Sequence, residues 1–156
     1  MFRNAPTEEE LGYQPVVGFA DAYPLHLLNL HSIRELAARI PDMAELSARR
    51  FRANIIVTGP AAFDEDNWRK LTLASEPFVA ACRTVRCKMP NINQDSAERN
   101  KVEPDATMRS YRAVDSGAPG GACMGLQLVP SREKGTLEVN EIVEVQERGE
   151  SVYINQ

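Results

Sequence analysis

The chain has 156 residues, of which 43% are hydrophobic and 26% are charged, and its formal net charge is -4. This length and composition are typical of one globular domain with a core of its own. The negative net charge argues against broad nucleic-acid binding, which needs a basic surface. No apolar run approaches the ~20 residues that a membrane-spanning helix requires. Residues 1–11 are acidic and have no apolar stretch of the kind found in a secretory signal.

The first predicted elements are a polar N-terminal segment and one amphipathic helix. Residues 1–13 are polar and are predicted to be flexible, so that the domain itself covers residues 14–156. Residues 14–28 mix apolar runs with a proline-marked turn and predict extended structure that leads into the helix. Apolar residues then recur at helical spacing, which makes this helix the clearest element: Leu30, Ile33, Leu36, Ala37 and Ile40.

Capping residues predict where this helix begins and ends. Asn29 is the predicted N-cap, and Ser32 with Glu35 is a predicted capping box. Pro41, followed by an aspartate, is expected to stop the helix. A further short helix is predicted at 43–49.

Short strands and loops are predicted for the rest of the chain. Residues 54–58 are a β-branched run closed by a Gly-Pro turn, which predicts a buried strand. An acidic turn or short helix is predicted at 64–68, a helix at 105–113, and strands near 76–82, 122–129, 136–146 and 151–154. Residues 88–104 are polar and predict a long loop, which in a compact domain is usually functional or mobile. The sum is a β-rich α+β domain that we interpret as a small barrel.

The three cysteines, Cys82, Cys87 and Cys123, are odd in number and irregularly spaced. This pattern is a poor disulfide framework and indicates free thiols in a reducing compartment. The C-x4-C spacing of the first two does not match a zinc site, and the two histidines flank the predicted helix. We therefore interpret Cys82 and Cys123 as packing residues.

Cys87 has the strongest chemical signal of the three, because it is predicted at a strand-to-loop junction among positive charges. Nearby cations favour the thiolate, which is the form that binds soft metals or attacks an electrophile. The cations close in sequence, or predicted to fold back, are Arg83, Arg86, Lys88 and Arg112. On local sequence alone, a buried cysteine beside solvated arginines is the commoner situation, so both interpretations stay open.

Arginines also cluster just before the strand predicted at 54–58, at Arg49, Arg50 and Arg52. Arginine suits bidentate phosphate recognition, and Asn54 would add an amide contact. Residues 110–112, Ser-Tyr-Arg, are a second candidate for anion binding. A solvated helix end is the alternative for both groups.

Several segments, taken in order, match one family pattern. The segment 50–57, RFRANIIV, is similar to R-F-R-P-N-[IV]-[VI]-[VI], and 62–68, AFDEDNW, is similar to A-[FY]-x-E-D-x-W. Arg86 and Cys87 match an Arg-Cys pair, and the segments 18–24, 90–93 and 103–112 match further stretches. The order and spacing hold from about residue 16 to about residue 147. The pattern resembles that of MOSC domains, closest to the fungal branch of proteins similar to the mitochondrial amidoxime-reducing component.

The resemblance implies a MOSC-type β-barrel that binds the molybdenum cofactor, with the sulfur of Cys87 on molybdenum. It implies an oxidoreductase that removes an oxygen atom from N-hydroxylated small molecules, and it calls for no pyridoxal phosphate. Electrons would arrive from an external heme or flavin protein. The residues implied to hold the cofactor are Asn29, Ser32, Arg52, Asn54, Arg86, Ser110 and Arg112. The first two lie at a helix start, which is a natural anion site.

The chain also departs from the family pattern. Family members normally have an N-terminal β-domain that supplies part of the cofactor pocket, whereas this chain begins just after it. We therefore expect either a fragment or a shortened paralogue, cytoplasmic or mitochondrial-associated, with no targeting signal in this chain. Ala53 replaces the usual proline, and the residues at 139–141, VNE, replace a common V-G-D turn in which Asn140 can accept a positive φ. We also expect no iron–sulfur domain of the kind that some family members carry.

Two further hypotheses stay open beside the molybdenum oxidoreductase. One is a truncated, metal-free MOSC-like protein that binds or transforms a different small molecule in the same cleft, with Asp64, Asp66 or Arg112 in play. The other is a sulfur carrier with a persulfide on Cys87. A homodimer is also expected, because exposed barrel surface needs cover.

Overall fold

The computed structural model describes residues 6–15, 23–41, 43 and 46–153. Three α-helices occur in these ranges: α1 (Glu8–Leu11), α2 (Leu30–Ala38) and α3 (Asp105–Arg112). The six strands are β1 (Leu25–Asn29), β2 (Ile55–Val57), β3 (Trp68–Leu73), β4 (Glu76–Val85), β5 (Cys123–Pro130) and β6 (Val143–Arg148). Single 3-10 turns lie at Ala48–Phe51, Asp64–Asn67 and Met89–Asn91. Among the described residues, no helix is long and apolar enough to cross a membrane.

The six strands form one curled sheet with the order β2-β1-β5-β4-β3-β6. β1 and β2 are parallel, and every other neighbouring pair is antiparallel. The sheet curls into a half-barrel in which β2 and β6 are the two edges. The predicted β-rich α+β class with barrel architecture is confirmed.

Two apolar clusters cover the two faces of this sheet. The cluster inside the half-barrel includes Leu27, Trp68, Leu71, Phe78 and Leu126. The other cluster joins α2 and α3 to the sheet through residues that include Leu28, Ile33, Leu36, Phe51 and Met108. Side chains of a strand alternate between faces, so neighbouring leucines of β1 serve both clusters.

The start of α2 confirms one predicted cap and corrects another. The side chain of Asn29 accepts a hydrogen bond from the backbone N–H of His31 at 3.0 Å, as an N-cap does. The predicted capping box of Ser32 and Glu35 is wrong, because Ser32 donates instead to the buried carboxylate of Glu65. Glu35 accepts from Tyr111 at 2.7 Å and pairs with Arg39.

Other predicted elements differ in their limits. The strand β3 was not predicted, because residues 68–73 mix charged and apolar residues in the way a partly exposed strand does. The strand at 54–58 forms as the shorter β2, at an edge of the sheet and half exposed rather than buried. The strand predicted at 136–146 forms only from Val143, and residues 151–153 form no strand. The short helix predicted at 43–49 is a 3-10 turn at Ala48–Phe51 in the described part of that segment.

The N-terminal segment contains more structure than its composition suggested. Thr7 and Glu10 form a reciprocal capping box around the single turn of α1. The division into a segment 1–13 and a domain 14–156 stays a prediction. Most of the segment 18–24 that matches the family pattern lies outside the described residues.

Candidate functional site

Cys87 lies just beyond the end of β4 and is the only exposed thiol among the three. The backbone N–H of Met89 donates to its sulfur at 3.5 Å as the chain turns into the 3-10 turn that follows. Cys82 and Cys123 are buried, as predicted, and burial raises the pKa of their thiols to about 12 and about 11. Of the three cysteines, Cys87 alone is therefore accessible to a ligand.

Hydrogen bonds join the 3-10 turn Ala48–Phe51 to the residue before Cys87 and to the segment after it. Arg86 donates from Nη2 to the carbonyl oxygen of Phe51 at 2.9 Å, and its guanidinium lies 5.6 Å from the centre of the Phe51 ring. Arg50 donates from Nη1 to the carbonyl oxygen of Pro90 at 3.2 Å. Arg52 follows the turn with a φ of 54° and is exposed. The structure thus joins Arg50 and Arg86 to the backbone across the two segments that flank Cys87, and Arg52 lies directly after the turn.

Arg83 and Arg112, by contrast, belong to a buried group of opposite charges. Nη2 of Arg112 lies 2.6 Å from Oδ2 of Asp66, and its guanidinium stacks over Phe63 at 4.0 Å. Arg83 lies 3.3 Å from Asp115 and 3.8 Å from Asp66. The prediction that four cations act on Cys87 is corrected here, because two of the four are neutralised by buried carboxylates.

Glu65 organises a third set of polar contacts at the start of α2. Its side chain is fully buried, and it accepts hydrogen bonds from Ser32 Oγ at 2.6 Å and from Asn29 Nδ2 at 2.9 Å. Burial raises the pKa of this carboxyl, while the two hydrogen bonds act in the opposite direction. Ser32 also accepts from the backbone N–H of Phe63 at 2.8 Å, and Asn29 donates to the carbonyl oxygen of Ala61 at 2.8 Å. The predicted site residues Asn29 and Ser32 therefore bind the turn at 61–65 to the start of α2.

His26 is a buried residue that the sequence analysis set aside. Its Nε2 lies 3.2 Å from the carbonyl oxygen of Met124, and its backbone N–H and C=O bond to the side chain and backbone of Asn54 at 2.8 and 2.9 Å. Burial, with the charge of Arg86 as the second cause, lowers the pKa of this imidazole to about 4. The available signal was a histidine within the apolar strand sequence LHLLN.

The predicted site residues thus fall into two groups that meet at β1 and β5. Arg52, Asn54 and Arg86 lie with His26 in one group, and Cys87 follows Arg86 in the chain. Asn29, Ser32 and Arg112 belong to the other, with Glu65 and Asp66. Ser110 lies on the exposed face of α3, where its hydroxyl donates to the carbonyl oxygen of Thr107 at 2.7 Å. The roles of all these residues towards a cofactor stay predictions.

Within the described ranges, no three His, Cys, Asp or Glu side chains come together as a metal site. The carboxylates of 64–66 diverge: Asp64 binds Arg148 and Trp68, Glu65 binds Ser32, and Asp66 binds Arg112. A metal held by Cys87 would therefore need its remaining ligands from a bound group.

The fold agrees with the comparisons to known proteins. The family model of the MOSC domain matches residues 14–144. The chain therefore belongs to the MOSC domain family.

Several curated relatives support this membership. The chain is 34% identical over 107 residues to a molybdenum cofactor sulfurase of Oryza sativa subsp. japonica, covering 64% of this chain and 13% of that protein. It is 31% identical over 99 residues to the mitochondrial amidoxime reducing component 2 of Bos taurus, covering 64% and 29%. It is 28% identical over 127 residues to the mitochondrial amidoxime-reducing component 1 of Danio rerio, covering 81% and 38%. The chain thus spans well under half the length of these relatives.

Proposed function

We propose that this chain is the molybdenum-cofactor-binding domain of an oxidoreductase, with Cys87 as the protein ligand of the metal. The observation that carries the proposal is the accessible thiol of Cys87 just beyond the end of β4, next to Arg86 in the chain and three residues before the carbonyl of Pro90 that Arg50 contacts. The relatives named for the molybdenum cofactor and for amidoxime reduction support the same cofactor and substrate class.

The residues around Cys87 fit an anionic group attached through sulfur. The sulfur is exposed, and among the described residues it accepts one long hydrogen bond, from Met89, so it is open to a soft metal. Arg52 is exposed directly after the 3-10 turn that Arg86 contacts, and an arginine guanidinium matches the oxygens of a phosphate. Arg86, which bonds to the carbonyl of Phe51, contributes positive charge next to Cys87 in the chain.

The second group of predicted residues fits the cofactor less directly. Asn29 and Ser32 are fully buried, and their polar atoms are engaged by Glu65 and by the 61–63 backbone. We propose that they act by holding the turn and the start of α2 in place. Arg112, bound to Asp66, would act in the same indirect way.

When bound, the cofactor supplies two-electron oxygen-atom transfer. We propose that the substrates are N-hydroxylated small molecules, such as hydroxylamines and amidoximes. Removing the hydroxyl oxygen takes two electrons and two protons and yields the N–H compound and water. The electrons would come from an external heme or flavin protein. The chain itself provides the positive charge of Arg86 next to Cys87, which attracts an electron-rich substrate.

The activity is tested with protein from a cofactor-competent host, a chemical reductant and an aromatic amidoxime. We expect the natural sequence to reduce the amidoxime and Cys87→Ser to lose this activity. Cys82→Ala, which removes a buried thiol, should retain it. Activity that survives in Cys87→Ser would contradict the proposed role of that thiol.

Two alternative functions would use the same region around Cys87. A persulfide carrier is favoured by the accessible thiol of Cys87 and by the sulfurase relative. It predicts a mass gain of one sulfur atom that a reductant removes and that Cys87→Ser lacks. A metal-free binder predicts a folded protein without molybdenum in which Cys87 is dispensable.

A further inference from the structure

The two edges of the half-barrel face each other across a groove of about 880 Å³. Residues 54–60, which include β2, line one side, and residues 137–143 with the start of β6 line the other. In the part of the chain that the structure describes, no strand pairs with the outer edge of β2 or of β6. An unpaired strand edge presents free backbone N–H and C=O groups and is a template for another strand.

The groove is also where exposed apolar side chains concentrate. Of the eight large hydrophobic residues that are exposed in the described ranges, four line it: Ile56, Leu137, Val139 and Ile142. Val139 is 89% exposed and Ile142 is 71% exposed. Beneath them, Ile55, Val143 and Val145 pack partly against the core of the half-barrel. An apolar patch that continues into a core and lies beside open strand edges marks an interaction site.

The charge of the groove selects the kind of partner. Its charged lining residues are Asp64, Glu138, Glu141 and Arg148. Arg148 binds Asp64 through two hydrogen bonds of 2.8 and 3.0 Å, so the lining includes no further cation for Glu138 and Glu141. Both glutamates are exposed. A second copy of this chain would bring the same two carboxylates against each other, which disfavours self-association here.

We propose that this groove binds an extended segment of a partner protein, which adds a strand to the open edge of the half-barrel. The segment has β-branched residues at alternate positions, which face the apolar floor. Lysine or arginine at the positions between them pairs with Glu138 and Glu141. Backbone hydrogen bonds supply affinity in this mode of recognition, and the alternate side chains supply selectivity.

The probe is a short synthetic peptide of alternating valine and lysine, with its binding to the full chain followed by fluorescence polarisation. We expect saturable binding that falls by ~10-fold in the double variant Glu138→Lys, Glu141→Lys. Binding should also fall with Ile56→Lys, while Val102→Lys, which changes an exposed valine outside the groove, leaves it unchanged. Circular dichroism of each variant confirms that it is folded.

Two control peptides separate strand addition from simple charge attraction. One has glutamate in place of lysine, and the other has methylated amides along one edge; neither should bind. The proposal is overturned if the methylated peptide binds as well as the parent peptide, or if the parent peptide does not bind. It is also overturned if sedimentation shows a dimer that Ile56→Lys dissociates, because the occupant is then a second copy.

Discussion

The hydroxyl of Ser32 and the carboxylate of Glu65 form a buried hydrogen bond of 2.6 Å. It joins the first turn of α2 to the acidic 3-10 turn at Asp64–Asn67, so two segments 33 residues apart are fastened at one point. Removing one partner leaves a buried polar group unsatisfied, which costs about 1–3 kcal/mol. We therefore expect Ser32→Ala to lower the free energy of unfolding by about that amount in urea titrations. A variant as stable as the natural chain would contradict the role of this bond.

Glu65 should give the stability a specific dependence on pH. Because its pKa is raised in the folded state from the ordinary value of 4.5, the folded state holds the proton more tightly. The contribution of Glu65 to the free energy of unfolding is thus complete below pH 4.5 and is lost as the pH rises through the folded-state pKa. We expect the stability advantage of the natural chain over Glu65→Gln to shrink across that rise, in urea titrations at a series of pH values. An unchanged difference would show that the carboxyl does not titrate there.

His26 should have the opposite effect on the pH dependence of stability. Its pKa falls from 6.5 to about 4 on folding, so the unfolded state binds more protons between these values. The stabilisation is complete above pH 6.5 and is lost as the pH falls towards 4, with a size of up to about 3 kcal/mol. NMR titration of the imidazole should show a neutral His26 down to about pH 4. His26→Gln should remove this part of the acid destabilisation, and a measured pKa near 6.5 would contradict the burial of the ring.

The buried ion pair of Arg112 and Asp66 should be far more sensitive than an exposed one. Arg112→Ala leaves the carboxylate of Asp66 buried with only Arg83 at 3.8 Å, and breaking such a pair costs about 3–5 kcal/mol. The matched control is Arg49→Ala, which breaks an exposed pair with Asp95 and should cost less than about 1 kcal/mol. Thermal unfolding of both variants measures the difference. Equal losses would show that the buried group is not essential to the fold.

Two glycines with positive φ allow the energetic cost of backbone strain to be compared with that of a steric clash. Gly125 has a φ of +81°, and a Cβ there would lie 2.4 Å from the carbonyl oxygen of Leu27 and 2.5 Å from Nε2 of His26. Gly120 has a φ of +74° with nothing within 4 Å of such a Cβ. We expect backbone strain to lower the free energy of unfolding by about 1–2 kcal/mol in both alanine variants. The close contacts should lower it further in Gly125→Ala and disturb the NMR signal of His26. A Gly120→Ala variant that is the less stable of the two would contradict this packing.

The sequence was most informative where local chemistry decides the structure. The periodicity of α2 and the N-cap at Asn29 follow from spacing and capping, and the structure confirms them, as it confirms the helix predicted at 105–113. The strand β3 was missed because the residues at 68–73, WRKLTL, bury only some positions against a partner strand that lies far away in sequence. The two edges of the sheet could not be predicted either, since strand order depends on such distant pairings.

The candidate site shows the same limit. Motif order indicated Cys87 and its arginine neighbours, and in the structure this thiol is exposed while Arg50 and Arg86 bond to the backbone of Pro90 and Phe51. Motif order did not indicate that Arg83 forms ion pairs with Asp66 and Asp115, because charge pairing between distant segments leaves no local pattern in the sequence. His26 escaped notice for a similar reason, as its burial arises from the approach of β5.

The measurement that tests the central proposal most directly is the molybdenum content per chain, by elemental analysis of protein from a cofactor-competent host. Cys87→Ser and the control Cys82→Ala are purified in parallel and checked for folding. We expect near-stoichiometric molybdenum in the natural chain and in the control, and its loss in Cys87→Ser. A folded, monodisperse natural chain without molybdenum, or a Cys87→Ser variant that retains it, would contradict the proposal that Cys87 holds the cofactor.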